Sequence, residues 1–476
     1  MSRLLFRRLR QWTSAHTLAA RGGPHAVERV AEARAAHLGR RRFLQGLGAA
    51  TAAAFAPGCA TSRPVAATID RSAPRIAVIG GGLAGLTCAW RLANAGLHAT
   101  VYEASSRVGG RVLTRRGMAE EAPEVPVELG ASFIDTHHHH IQRLIRDIGL
   151  TLIDTTDDDL GRVFYVGGQR YSEEEMITRF EPVAAYVQRL RDQLGTGGER
   201  ISYASPGGAE ALDQKSVAEL IAESGGDEVI QRALAAVYTA EYGVPLDELS
   251  ALTMVLELGT EDIERISPIG VADEVLRLAQ GNDSVPRSLA EGLSDRVALG
   301  RTLEAVSQRA DGTYSLAFAG AGGVRDVVAD VVVFALPFRV LREVELRVEL
   351  PAVKRRCIDE LGFGTNAKLM VPFATRFWRD AEDGGESISD TGIQATWDET
   401  LSRPGTTGVI CAYAGAEEGI ALGEGSVEAQ VGRFIGPFAA TFPGAREALR
   451  GPAVRQHWPS VPTVRGSYSC YTVGQW

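Results

Sequence analysis

From residue 75 onward, apolar runs and polar breaks succeed one another in patterns that name their elements. Arg75-Ile76-Ala77-Val78-Ile79 is a short apolar run of the kind carried by a parallel strand buried on both faces. It leads into Gly80-Gly81-Gly82-Leu83-Ala84-Gly85, a helical stretch to Leu92 closing near Gly96, and a second strand over 98–102. Ile141, Leu144, Ile145 and Ile148 keep helical spacing, as do Met176, Ile177, Phe180, Val183, Ala184, Val187, Leu190 and Leu194. Gly195-Thr196-Gly197-Gly198 then reads as a loop. Further helices are predicted over 216–224, 227–239 and 247–258. Strand-like segments cluster over 297–335 with a glycine turn at 320–323. The spacing closes with a helix over 352–360, a strand over 365–373 and an amphipathic helix over 426–438.

The first 59 residues read differently. Residues 1–42 hold ten arginines against Glu28 and Glu32, and Arg40-Arg41-Arg42-Phe43-Leu44-Gln45 precedes a small-residue run from Gly46 to Phe55. That order predicts an export signal over 1–59 resembling the twin-arginine type, which carries folded proteins, followed by a tether over 60–73. Ala56-Pro57-Gly58-Cys59 is similar to a degenerate lipobox and makes Cys59 a candidate lipid anchor, with simple cleavage near Ala60 as the alternative.

The net charge of −9 excludes a nucleic-acid binder that relies on a general basic surface. It is the sum of two unlike parts, because without residues 1–58 the balance is 40 basic against 57 acidic residues, or −17. Five scattered cysteines with no CxxC pair give neither a zinc site nor a dense disulfide framework. Four adjacent histidines, His137 to His140, cannot all face one ion on a helix, so they predict a polar helix start rather than a metal centre. Asp157-Asp158-Asp159 reads as a solvated loop. Only three basic residues are lysines: Lys215, Lys354 and Lys368.

The glycine-rich turn follows a strand, opens a helix and has an acid about 20 residues further on, which is the context a dinucleotide site requires. Gly80 permits the tight turn, Gly82 lets the backbone approach a pyrophosphate and Gly85 lets helix and strand pack closely. Leu83 and Ala84 open the helix whose N-terminus stabilises phosphate charge. Glu103 suits ribose hydroxyls and argues against a 2′-phosphate. NAD and FAD both remain open on that turn. Ala104-Ser105-Ser106-Arg107-Val108-Gly109-Gly110-Arg111 directly follows Glu103, and two glycines flanked by arginines suit a loop crossing a pyrophosphate, with Arg111 as charge partner.

From Ile76 to Arg111 the sequence resembles the FAD fingerprint of the flavin amine oxidases, the family of monoamine, polyamine and L-amino-acid oxidases. Later segments agree in family order over roughly residues 75–476. Glu128-Leu129-Gly130-Ala131 resembles an acid-x-Gly-Gly segment with Ala131 in place of the second glycine. Gly281-Asn282-Asp283 with Pro286, Leu289 and Ala290 resembles a helix entry. The run from Asp330 to Pro337 resembles the strand returning to the nucleotide domain, and Trp458 with Arg465-Gly466-Ser467-Tyr468-Ser469 resembles a "W…RGSYS" segment. The resemblance implies an α/β fold: a Rossmann-like FAD-binding domain built from 74–135, 282–345 and 456–476. Interleaved with it is an α+β substrate domain from 136–281 and 346–455. It extends the expected cofactor set to Gly130, Ala131, Leu303 and Trp458.

Residues 365–373 alternate as a strand with Lys368 and Met370 on one face, and a lysine among apolar neighbours can hold a water or share a proton. The resemblance makes Lys368 the lysine that holds a water against flavin N5. It also implies the chemistry: hydride loss from an unprotonated amine or amino acid to the flavin, hydrolysis of the imine, and reoxidation by oxygen to hydrogen peroxide. Trp458 and Tyr468 are candidates for an aromatic wall, with Tyr468 facing substrate. Some family members link FAD to a cysteine, but the linking position falls on Tyr468 rather than Cys470, so FAD is expected to be non-covalent. Family members continue past the RGSYS segment into an element with a "FAGE"-like motif, whereas this sequence stops at Gly474-Gln475-Trp476, so a fragment or a divergent flavoprotein is expected. Another two-domain flavoprotein of the desaturase or protoporphyrinogen-oxidase type, and a non-catalytic flavin-binding protein, remain alternatives.

Overall fold

The computed structural model describes residues 73–476 except 159, 195–200, 202–204, 262, 264, 321 and 322. The expected export signal, nearly all of the tether, Cys59, Asp159 and the loop at Gly195 therefore lie outside the described residues.

Strand β1 (Ile76–Ile79) is followed by helix α1 (Leu83–Asn94) and strand β2 (Ala99–Tyr102). Further along lie α2 (His139–Asp147), β3 (Arg162–Val166), β4 (Gln169–Ser172), α3 (Glu173–Gln193), α4 (Val217–Glu223), α5 (Glu228–Tyr242) and α6 (Ala251–Glu257). Then come β5 (Val297–Ala298), β6 (Thr302–Gln308), β7 (Tyr314–Ala319), β8 (Arg325–Ala329), β9 (Val331–Phe334), β10 (Glu345–Arg347) and α7 (Ala352–Glu360). The last pass is β11 (Ala367–Phe373), β12 (Glu386–Ser389), β13 (Ala395–Asp398), β14 (Gly408–Ala414), α8 (Val427–Thr441) and β15 (Val454–His457).

The first sheet has strand order β9-β1-β2-β5 and is parallel throughout. Every residue of β1 is buried because both faces of the sheet are covered. Ile76 and Val78 pack with Leu86 and Ala89 of α1 and with Leu144 and Ile145 of α2. Ala77 and Ile79 point the other way, against Leu303, Val306, Leu316 and Phe318 of a second sheet ordered β8-β7-β6-β10. The contribution of α2 and of Leu278 means that the core beside β1 draws on residues beyond the expected division at 135/136.

The third sheet is seven-stranded, in the order β15-β11-β14-β13-β12-β3-β4. All seven residues of β11 are buried, again with period two. Ala367, Leu369, Val371 and Phe373 pack against Phe434, Phe438 and Phe442, the first two of these on α8. Met370 faces the opposite cluster, formed with residues of α3 to α6. Helices α3 and α4 begin with capping boxes, Ser172 with Glu175 and Ser216 with Glu219, so their starts are fixed by the sequence itself. The 456–476 segment, expected wholly within the nucleotide domain, begins inside β15, which pairs antiparallel with β11. No helix among the described residues is long and apolar enough to cross a membrane.

Candidate active site

Two cavities meet in the described chain. The first, about 1140 Å³, opens above the ends of β1 and β2 and is lined by Gly80, Gly82, Leu83, Ala84, Glu103, Ala104, Gly109 and Gly110. The three fingerprint glycines do different work. Gly80 has φ +108, and a Cβ there would lie 2.5 Å from the carbonyl oxygen of Ala335. At Gly85 a Cβ would lie 2.0 Å from the carbonyl oxygen of Gly80, so the turn and the helix can approach only because it is absent. Gly82 has an ordinary φ of −75, and its Cβ would meet no protein atom within 4 Å. The protein's own packing gives no reason for glycine at 82, but a ligand crossing that open surface does. Helix α1 has no side-chain cap and no acid in its first turn, which leaves its positive end for an anion.

Glu103 is buried and accepts from the backbone N–H of Gly81 (2.6 Å) and of Ser105 (2.8 Å). Those bonds fix the carboxylate at the cavity wall. Arg107 does not line the cavity. Its guanidinium donates to the carbonyls of Val108 (3.0 Å) and Gly110 (2.6 Å), so it holds the loop rather than reaching for a ligand. Arg111 and Ala131 line both cavities, and the Arg111 guanidinium donates to the carbonyl of Ser467 while facing the Phe363 ring. Leu303 lines the first cavity. An uncapped helix end, a cradle open at Gly82 and a fixed acid form a donor set that fits a dinucleotide such as FAD.

The second cavity, about 610 Å³, is lined by Gly130, Ala131, Lys368, Trp397, Tyr413, Trp458 and Tyr468 among others. Lys368 is 5% exposed, and its Nζ donates to the carbonyls of Glu128 (3.0 Å) and Gly130 (2.7 Å) and to Ser132 Oγ (2.7 Å). Three oxygens thus surround Nζ, two of them carbonyls that can only accept, which suits a charged ammonium. The charge also lies 4.9 Å from the centre of the Trp397 ring and 5.9 Å from that of Tyr413. The Ser132 hydroxyl in turn donates to Glu399 Oε1 (3.2 Å), and Glu399 Oε2 accepts from the backbone N–H of Glu128 (3.1 Å) and faces Arg277 at 3.7 Å. Burial, reinforced by the nearby Glu399, pushes the Glu128 carboxyl up to about 7 against the bonds it accepts from Asn282 and Thr114.

Gly130 could not be another residue, since a Cβ would lie 1.8 Å from the carbonyl oxygen of Arg111 and 3.2 Å from the Trp458 ring. Trp458 packs there with its Nε1 donating to the carbonyl of Leu129 (3.1 Å). The Tyr468 phenol faces the cavity and is hydrogen-bonded to the Tyr413 hydroxyl. Enclosure by protein pushes both phenols up, so both are neutral. Cys470 is buried, lines neither cavity, and its thiol is pushed up to about 12 by burial. His138 Nδ1 accepts from the backbone N–H of Asp135 (3.1 Å), which leaves the proton of a neutral ring on Nε2, 3.2 Å from Asp135 Oδ2. One ligand atom each from Asp135, His137 and His138 lies within 4.8 Å of the others.

Ser132, Arg277, Glu399 and Tyr413 escaped the sequence reading. Their signals were weak: Tyr413 lies in an unbroken apolar strand, and Glu399 comes near Lys368 only through the pairing of β11, β14 and β13.

Residues 83–476 match the family model described as flavin containing amine oxidoreductase. The chain belongs to that family, whose members are FAD-dependent enzymes that oxidise amines. Among its relatives, an L-amino-acid oxidase from Pseudechis australis is 26% identical over 357 residues, covering 72% of this chain and 66% of that protein. The chain thus spans about two thirds of that relative's length. Polyamine oxidase 5 from Oryza sativa subsp. japonica is 26% identical over 425 residues, covering 85% and 79% of the two chains. The fold matches that of putrescine oxidase bound to putrescine with a TM-score of 0.69 at 21% identity, covering 84% of this chain and 89% of that one.

Proposed function

We propose that this chain oxidises a primary or secondary amine, or an amino acid, to the imine at the expense of oxygen, using non-covalently bound FAD. When bound, FAD supplies a two-electron acceptor at N5 and passes the electrons to oxygen, giving hydrogen peroxide. Gly80, Gly82, Leu83, Ala84, Glu103, Gly109, Gly110 and Arg111 would hold the dinucleotide, and the buried, weakly acidic Cys470 favours the non-covalent mode. The aromatic faces of Trp397, Tyr413 and Tyr468 suit an unprotonated amine better than water does.

The observation that carries this reading is the Lys368 ammonium at the cavity wall, tied to Glu128, Gly130 and Ser132 and continued through Ser132 to Glu399. From there Nζ can exchange one protein partner for a water. The Ser132–Glu399 chain gives the proton released from the reacting nitrogen a path away from it. Peroxide release by the FAD-loaded protein across amines and amino acids tests the reading, and a flavin that no substrate reduces contradicts it. The arginine-led leader and Ala56-Pro57-Gly58-Cys59 support an exported, extracytoplasmic enzyme, tested by cell fractionation with and without Cys59→Ala.

A further inference from the structure

Adjacent histidines on a helix cannot share one ion, but helix α2 begins only at His139, so His137 and His138 precede it and escape that spacing. They lie in a turn pinned from several sides. The backbone N–H of His138 donates to the carbonyl of Asp135 (3.1 Å), and Gln142 Nε2 donates to the carbonyls of Asp135 (2.9 Å) and Thr136 (2.8 Å). Asp273 accepts from the backbone N–H of Thr136 (2.9 Å) and from its hydroxyl. Just upstream, Ile134 exchanges both backbone hydrogen bonds with Leu276. The turn is thus built on fixed backbone, as a binding site needs.

Asp135 is buried, and its Oδ1 is taken by the backbone N–H of Glu274 (2.7 Å). Its Oδ2 faces both imidazoles, with His138 Nε2 3.2 Å away and His137 Nδ1 3.9 Å away. Ligand atoms held about 2.0–2.1 Å from a tetrahedral zinc ion stand about 3.3 Å from one another, so the spacing is near what such an ion needs. Two imidazoles and a carboxylate suit zinc, copper(II) or nickel, whereas magnesium and calcium take oxygen ligands. A second carboxylate oxygen anchored by a hydrogen bond is also how ligating carboxylates are oriented. One use competes: His138 Nδ1 accepts from the backbone N–H of Asp135 (3.1 Å), and ligation through Nε2 moves the ring's proton to Nδ1 and gives up that bond. A metal–imidazole bond outweighs one neutral hydrogen bond. Arg162 and Arg265, which line the same cavity, are both paired with Glu386.

We infer that Asp135, His137 and His138 bind one borderline divalent ion of the zinc class, with its remaining coordination position left to water. All three residues line the second cavity, and both histidine side chains are nearly half exposed, so the site stands at the cavity's rim. Resting on the amine-oxidase reading above, an ion at that rim inhibits the entry of amines.

Titrating zinc chloride into tag-free, FAD-loaded protein by calorimetry tests the site, with magnesium chloride as the contrast. The expected result is one zinc ion per chain at a roughly micromolar Kd, and no magnesium binding in that range. The His137→Ala/His138→Ala double variant should stay folded, as a thermal melt checks. It should lose more than the roughly 10- to 100-fold in affinity that follows removal of a ligand's outer partner. Asp135→Asn should weaken zinc in the same direction, whereas His139→Ala should leave its affinity unchanged. Saturating zinc should raise KM for pentylamine several-fold in the wild type and not in the double variant. Absent zinc binding, equal affinity for magnesium, or an equal loss in His139→Ala overturns the site, and an unchanged KM overturns the inhibition. Zinc bound to a flavin-loaded protein that oxidises no amine contradicts amine oxidation and leaves the site standing.

Discussion

The Lys368 ammonium lies 2.7 Å from the carbonyl oxygen of Gly130, and this bond joins the second strand of the seven-stranded sheet to the segment whose Ala131 borders both cavities. A charged group on one scaffold is thereby fixed against the backbone that lies between the two cavities. Exchanging Lys368 for Met should leave the fold intact and slow amine-driven flavin reduction by roughly 10²-fold or more, as expected for loss of a positioned proton-handling group. Rapid-mixing absorbance under anaerobic conditions measures it. Reduction at the wild-type rate would remove Lys368 from the mechanism.

The glycine turn separates binding from folding. Gly82→Ala should melt close to the wild-type temperature yet bind FAD at least about tenfold more weakly, because its methyl group would enter space that only a ligand fills. Gly85→Ala should be destabilised by about 3 kcal/mol, since its methyl meets the Gly80 carbonyl in a packed turn. Thermal melts with and without FAD distinguish the two.

Stability should fall as pH rises from about 5 towards 8. Glu128 at about 7 and Glu241 at about 8 are raised above the value of an unfolded glutamate. Groups raised in this way hold their protons in the folded state, so their contribution is complete below about pH 4.3 and is lost as pH climbs through the folded values. Glu386 and Asp330, both held at about 2, act in the opposite sense and only under acid conditions. Melting temperatures of the flavin-free protein across this range should decline, and less steeply in Glu241→Gln. A flat or rising profile contradicts the assignment.

The tyrosine pair should act on substrate rather than on the cofactor. Tyr468→Ala opens the cavity wall and removes the partner of the Tyr413 hydroxyl. It should raise KM for an apolar amine by roughly 10-fold, the value of an aromatic contact and its buried area. Flavin content should stay unchanged, which steady-state kinetics and the visible spectrum check together.

Much of this was legible in the chain. The strand–turn–helix of residues 76–94 announces itself because local rules suffice: an apolar run, glycines at turn and contact positions, then helical spacing. Lys368 was visible for a similar reason, as period two in a buried strand leaves a lysine facing the side opposite Leu369. Arg107 was misleading because an arginine beside a glycine loop can serve the ligand or the loop, and only its bonds to the Val108 and Gly110 carbonyls decide. The Ser132–Glu399 chain was hidden because it depends on a contact between segments 267 residues apart, which neither periodicity nor composition encodes. The domain divisions blurred where α2 and Leu278 pack beside β1, since an amphipathic helix does not say which sheet it will cover.

The central claim is that the two joined cavities hold a flavin and an amine against Lys368. Anaerobic addition of 1,5-diaminopentane to the FAD-loaded protein tests it most directly. Bleaching of the flavin's visible absorbance, followed on admission of oxygen by its return and by stoichiometric hydrogen peroxide, is the predicted result. A fully loaded flavin that stays oxidised with this diamine and with every other amine and amino acid tried would contradict the account.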